Sequence, residues 1–244
     1  TTTNYSVVVT DANGCTASLN NLLVNVHPPL QLNLTANNDT ICVGQSSNLS
    51  ALASGGNGGP YAYSWNNGLS SSSQNVTPTQ TSSYIVSVSD GCTTPNAQQT
   101  INVVVNPIPS PSFTPGSIQG CSPVSAVFNM TSASGPGNSY LWNFGDNSSS
   151  TAINPSHQYA TAGSFNVTLT ITNQYGCSAS LTNNNLVNVY PKPIAKFTPD
   201  PSETQLITAN INFNNYSIGA SYYNWNFGDN ITSTDFSPSH MYSD

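Results

Sequence analysis

An eight-residue run, Tyr140-Leu-Trp142-Asn-Phe144-Gly145-Asp146-Asn147, returns almost unchanged as Tyr223-Asn-Trp225-Asn-Phe227-Gly228-Asp229-Asn230. The step from Trp142 to Trp225 is 83 positions, and Pro155-Ser-His157-Gln-Tyr159 returns as Pro238-Ser-His240-Met-Tyr242 at the same step of 83. Motifs that recur together, in order and at one spacing, mark a structural unit used more than once, and the unit's length then fixes the architecture. A looser marker gives that length. The endings Val26-His-Pro28, Val105-Asn-Pro107 and Val189-Tyr-Pro191 lie 79 and 84 residues apart. A module of about 80 residues can bury a core of its own.

The 244 residues divide on this period. Residues 1–28 carry alternating apolar runs on both sides of Asn13-Gly14 and predict a hairpin, the C-terminal half of a module. Residues 29–107 predict a complete module around Trp65, with Cys42-Val-Gly44-Gln-Ser46 early and Tyr84-Ile-Val86-Ser-Val88-Ser-Asp90-Gly91-Cys92 late. Its closing half resembles residues 4–28. Prolines 107, 109 and 111 stiffen the next connection and cannot feed a sheet ladder. Residues 112–190 predict a second complete module, whose Phe165-Asn-Val167-Thr-Leu169-Thr-Ile171-Thr has the period of two of a half-buried strand. Residues 194–244 predict the N-terminal part of a third. No segment has helical spacing with caps, so the expected fold is all-β: tandem immunoglobulin-like sandwiches forming a rod.

The two incomplete ends are complementary, since 194–244 and 1–28 together make 79 residues. Either the sequence is a window on a longer array, or strands of one copy complete the unfinished sandwich of the next, as in donor-strand complementation. The window is preferred, because residues 1–28 match the ending of the 29–107 type at least as well. Finding a continuous covalent chain through both ends would remove the complementation idea.

Composition narrows the partners. Charged residues are 5% of the chain, with two lysines, nine acids and a net charge of −7, against about 25% in an average protein. Without a basic patch there is nothing to neutralise phosphates, so nucleic acid is excluded. No apolar run reaches the length of a membrane span, and no secretory signal opens the sequence, as expected for a portion of a mature protein. Five cysteines and several Asn-x-Ser/Thr triplets, such as Asn166-Val-Thr168, fit an oxidising extracellular setting. A surface of amides and hydroxyls with few charges permits close side-by-side packing.

In Trp142-Asn-Phe-Gly-Asp146, Pro155-Ser-His157-Gln-Tyr159, Gly163-Ser-Phe165-Asn-Val167 and Asn173-Gln-Tyr-Gly176 the chain resembles a PKD domain, an immunoglobulin-like β-sandwich. Residues 225–242 carry the first two thirds of the same pattern, and 29–107 resemble a related bacterial immunoglobulin-like module. The resemblance implies a large secreted protein of gliding or surface-colonising bacteria, often exported by type IX secretion, acting as an adhesin, filament or stalk at the cell surface. Its implied partners are other copies of itself, adjacent modules, surface glycans or cell-surface proteins. Asn147 and Asn230 stand where the family usually has glycine, a tolerable change because Asn also adopts left-handed angles.

Several residues invite chemistry. Asp146 and Asp229 could ligate calcium, but the six to eight oxygens such a site needs are not nearby, and an Asx-type turn is the simpler reading. His157 and His240 would be catalytic only with a nucleophile and an orienting acid beside them. Their identical setting in two repeats, followed by Tyr159 and Tyr242, argues instead for a structural hydrogen bond. Trp65, Trp142 and Trp225 fall where a sandwich buries a large ring. With Glu203 the only glutamate, a two-carboxylate glycosidase lacks material. No enzyme and no cofactor are expected. Pairing within modules, Cys42 with Cys92 and Cys121 with Cys177, is the local choice, whereas modules stacked head to tail would join Cys42 to Cys177; both leave Cys15 without an assigned partner. The alternative function is a non-catalytic carbohydrate-binding accessory region of a secreted hydrolase, which a row of exposed aromatics such as Tyr61, Tyr63 or Tyr222 would favour.

Overall fold

A computed structural model describes residues 2–92, 94–205 and 209–242. Every element among them is a β-strand, 23 in all. The chain divides into two compact units, residues 1–109 with 175–177, and residues 110–174 with 178–244.

The first unit opens with the antiparallel hairpin β1 (Thr3–Thr10) and β2 (Thr16–Val24). Its five-residue turn is fastened by the Asp11 carboxylate, which accepts bonds from the backbone N–H groups of Asn13 (2.9 Å) and Cys15 (2.8 Å). All residues of both strands are exposed, including Tyr5, Val7, Val9 and Leu22.

A sandwich follows, built from β3 (Gln31–Ala36), β4 (Thr40–Cys42), β5 (Ser47–Ser54), β6 (Ala62–Trp65), β7 (Ser73–Val76), β8 (Ser82–Ser89) and β9 (Ala97–Asn106). One sheet has the order β3-β5-β7 and the other β4-β9-β8-β6, with β4 parallel to β9. The pattern of β5 shows why these residues make strands: alternate positions Ser47, Leu49, Ala51 and Ala53 are buried and those between are exposed. Leu49, Ala51 and Ala53 meet Trp65, Val86, Val88 and Val103 in one core.

The second unit repeats this plan with β10 (Phe113–Thr114), β11 (Ile118–Cys121), β12 (Val124–Val127), β13 (Asn129–Met130), β14 (Ser139–Asn143), β15 (Ser149–Ser150), β16 (Ser156–Tyr159), β17 (Gly163–Thr172) and β18 (Ser178–Tyr190). The five-stranded sheet runs β11-β18-β17-β14-β15, again with one parallel pair, β11 and β18. Short ladders β10-β13 and β12-β16 form the other face. On β17 the side chains of Val167, Leu169 and Ile171 enter the core. Thr168 and Thr170 between them face outward and bond Thr182 (2.8 Å) and Ser180 (2.7 Å) across the ladder. Fully burying one such aliphatic side chain contributes about 1.5–3 kcal/mol.

The same opening strands then recur as β19 (Phe197–Asp200), β20 (Asn210–Asn215), β21 (Trp225–Asn226), β22 (Thr232–Ser233) and β23 (Ser239–Met241), in the ladders β19-β20-β23 and β21-β22. Counterparts of β17 and β18 are not present among the described residues.

The cysteine pairing expected within modules is corrected. Cys42 is bonded to Cys177, with their Cα atoms 5.7 Å apart, while Cys15, Cys92 and Cys121 are free. The reason lies in strand direction. Cys42 is in register with Asn106 at the end of β9, whereas Cys92 lies in the turn before β9 begins. Ten residues of strand, roughly 30 Å at about 3.3 Å each, separate them. The thirteen-residue β18 likewise separates Cys177, just before its start, from Cys121, in register with Tyr190 at its end. A disulfide needs Cα atoms within about 7 Å.

Candidate functional site

The repeated motif folds into one compact cluster, which the structure shows twice. The strand carrying the tryptophan, β14 or β21, ends in a tight turn. Asn143 Oδ1 accepts the N–H of Gly145 (2.9 Å), and Asn226 Oδ1 accepts that of Gly228 (3.0 Å). Gly145 and Gly228 adopt φ of 84° and 93°, and Asn147 and Asn230 both adopt 70°, left-handed angles that few side chains other than Asn accept. At Gly145 a side chain would also collide, because an added Cβ would lie 2.5 Å from the carbonyl oxygen of Asn166 on β17.

The turn aims a carboxylate at the neighbouring strand. Asp146 Oδ2 lies 2.7 Å from His157 Nε2, and Asp229 Oδ2 lies 2.7 Å from His240 Nε2. The imidazoles are stacked flat on Phe144 and Phe227, with ring centroids 4.3 Å apart in both copies. Tyr159 and Tyr242 close the other side edge-on, at 4.6 Å in both. Their hydroxyls donate back to the carbonyls of Phe144 (3.1 Å) and Phe227 (3.0 Å). Each tryptophan indole N–H also has a backbone acceptor: Ala152 for Trp142, Asp235 for Trp225 and Ser71 for Trp65.

These contacts set the electrostatics. Burial by itself raises the Asp146 carboxyl, but the hydrogen bonds from Ser148 and His157 outweigh it and hold the group below the usual carboxylate range. At Asp229 the bond from His240 leads and lowers it also. Burial, and secondly the charge of Asp146, push the Tyr159 hydroxyl well above its ordinary value.

Ser148, His157 and Asp146 have the composition of a hydrolase triad but not its wiring. In a triad the acid holds the imidazole nitrogen opposite the one facing the nucleophile. Here Asp146 and Ser148 (3.1 Å) meet the same Nε2, and the Ser148 hydroxyl donates to Asp146 Oδ1. The second copy has Ile231 in place of Ser148, whose N–H alone bonds Asp229. The cluster is wired as a lock on the turn. Both Asp146 oxygens are occupied by protein donors, and no group of three His, Cys, Asp or Glu side chains is gathered among the described residues.

The structure thus brings together Asp146, His157 and Tyr159, and separately Asp229, His240 and Tyr242, with Trp142 and Trp225 packed behind them. Trp65 lies in a different core with no Asp–His pair. Asn143, Asn226, Phe144 and Phe227 are site residues that the sequence reading does not single out, although they stand inside the repeated run, which is the available signal. Ser148 could not be found that way, because it is not repeated.

The two-sheet strand order and the parallel pairing of the second strand of each sandwich with its last define the class: tandem immunoglobulin-like β-sandwiches. Residues 106–189 match the family model described as PKD domain, the segment that carries the first Asp–His lock. Those residues are thus similar to a PKD domain, within a chain whose fold is all-β and immunoglobulin-like. Over 54 residues, 22% of the chain, it is 43% identical to a microbial collagenase of Vibrio alginolyticus, and the match spans 7% of that enzyme's length. Among solved structures, a three-immunoglobulin titin fragment, I67-I69, aligns at 14% identity and TM-score 0.42 over 88% of this chain and 89% of that one. Sidekick-1 immunoglobulin domains 1-5 align at 16% and 0.39 over 95% and 56%. Domains of these kinds are structural or adhesive modules, typically extracellular and non-catalytic.

Proposed function

We propose that the chain is a stretch of an extracellular repeat protein that builds a bacterial surface filament or adhesin stalk, exported by type IX secretion. The observation that carries this reading is the use made of the reactive groups. In both repeats the acid and imidazole are spent on locking a turn, and Cys42 and Cys177, 135 positions apart, are spent on a covalent cross-link. What remains is a mechanical scaffold with an almost uncharged amide and hydroxyl surface, able to pack against copies of itself. Sandwich cores resist unfolding and the disulfide limits extension. Its partners would be other copies of itself or adjacent modules, and surface glycans or host or cell-surface proteins.

The collagenase match favours a second reading, an accessory region of a secreted hydrolase. The aromatic row that reading needs is weak: Tyr61 and Tyr63 pack against the core and hydrogen-bond Gly55 and Ala53, and only Tyr222, at 94% exposure, stands free. Immunolabelling of intact source cells under the electron microscope tests the choice. Label along thin surface fibres or stalks is expected. Label confined to the medium, co-purifying with a hydrolase, would replace the first reading with the second.

A further inference from the structure

The one disulfide obeys a register rule, and two of the free cysteines stand at the positions the rule names. Cys42 is the last residue of β4, paired with Asn106, the last residue of β9 before a proline, and the next N–H, of Val43, donates to the Asn106 carbonyl (3.0 Å). Cys121 is the last residue of β11, paired with Tyr190, the last residue of β18 before a proline, and the next N–H, of Ser122, donates to the Tyr190 carbonyl (2.9 Å). Cys121 is therefore the counterpart of Cys42.

The other half of the bond has a counterpart too. Cys177 is the fifth residue of a turn whose flanking pair is Thr172 and Ser178, with Gly176 at φ 80° in fourth place. Cys15 is the fifth residue of a turn flanked by the pair Thr10 and Thr16, with Gly14 at φ 87° in fourth place. Cys92 does not fit: its turn runs from Ser89 to Ala97, and the cysteine comes third. Exposure agrees, because Cys177 is 1% exposed in its bond while Cys15 and Cys121 are both exposed. The connectors agree as well. Residues 107–112 between β9 and β10 and residues 191–196 between β18 and β19 are both six long and proline-bearing.

Cys42 takes the turn cysteine of the sandwich one step later in sequence. We propose that Cys121 repeats this bond with a turn cysteine placed as Cys177 is, and that Cys15, which stands in such a turn, is a cysteine of this bonding type. Both thiols lose their protons, a small disulfide oxidant of the extracellular compartment accepts the two electrons, its own S–S bond breaks to two thiols, and the protein S–S bond forms. The turn thiol that reaches Cys121 has two sources, the same polypeptide or Cys15 of a second copy. The pairing rule is the same for a filament and for an accessory region, so its failure would leave the proposed function untouched.

The test is disulfide mapping of the native protein, alkylated with N-ethylmaleimide during denaturation, digested and analysed by mass spectrometry. Cys121 is expected in a linked peptide at the same occupancy as Cys42–Cys177. A partner within the same chain identifies the first source; a Cys15 peptide, with a ladder of bands on non-reducing gels that reducing agent collapses to the single-chain mass, identifies the second. In Cys121→Ser one further equivalent of N-ethylmaleimide should label the turn cysteine, with Cys42–Cys177 intact. Cys121 found alkylated where Cys42–Cys177 is complete, or linked to Cys92, would overturn the proposal.

Discussion

Removing the charge of Asp146 tests the turn lock most directly. Asp146 and His157 meet at 2.7 Å with side chains 20% and 18% exposed. Two full charges at that distance and an effective dielectric near 20 would give roughly 6 kcal/mol, an upper limit before desolvation. Exposed pairs measure about 0.2–1 kcal/mol, whereas breaking a buried pair costs about 3–5. This pair lies between those cases, so Asp146→Asn and His157→Gln should each cost about 2 kcal/mol, with a coupling of about 1–2 kcal/mol in the double-mutant cycle. The pH dependence has a definite sign. A carboxyl held below its unfolded value, near 4, contributes stability that is complete above that value and lost as pH falls through the folded one. The assay is urea unfolding of the full chain with Trp65 and Trp225 replaced by phenylalanine, so that Trp142 alone reports. A coupling under about 0.3 kcal/mol, or one that grows as the pH is lowered past 4, would refute the lock.

Gly145→Ala should destabilise by about 3 kcal/mol or more, the left-handed backbone cost of about 1–2 being joined by a collision with the Asn166 carbonyl. Gly228→Ala, with nothing within 4 Å of the added carbon, should cost only the backbone part; hydrogen exchange of the two turns compares them directly. Cys42→Ser should lower the melting temperature, since a cross-link between residues 135 apart is worth up to about 4–5 kcal/mol by chain entropy, and reducing agent should lower the wild type to the same value.

The repeat, the all-β sandwich class and the tryptophan positions of the core were legible because they depend on local pattern: alternation on β17, turn residues at fixed places, and a tryptophan strand at a constant step. The wiring of the site was half legible. Asp146, His157 and Tyr159 stand out because all three return 83 positions later, but what each touches depends on how β14 and β16 face each other across the sandwich. Disulfide pairing was the least legible. Sequence leaves both Cys42–Cys92 and the head-to-tail Cys42–Cys177 open, and the register of the parallel pair, which puts Cys42 and Cys92 at opposite ends of β9, decides for the second.

The two copies of the lock also separate what builds the site from what buries it. Phe197, Phe213, Trp225, Phe227, His240 and Tyr242 reproduce the ring arrangement of their counterparts, the Trp225–Phe197 centroids at 5.2 Å against 5.0 Å for Trp142–Phe113. They do so where no strands equivalent to β17 and β18 stand among the described residues. The geometry therefore arises from the strands that carry the motif and from hydrogen bonds over 2 to 15 positions of sequence. Burial behaves differently: Trp142 is completely enclosed and Phe113 is 8% exposed, whereas Phe197 is 53% exposed. The closing hairpin thus adds little to the shape of the lock and most of the apolar burial that stabilises it, at about 25 cal/mol per Å² covered.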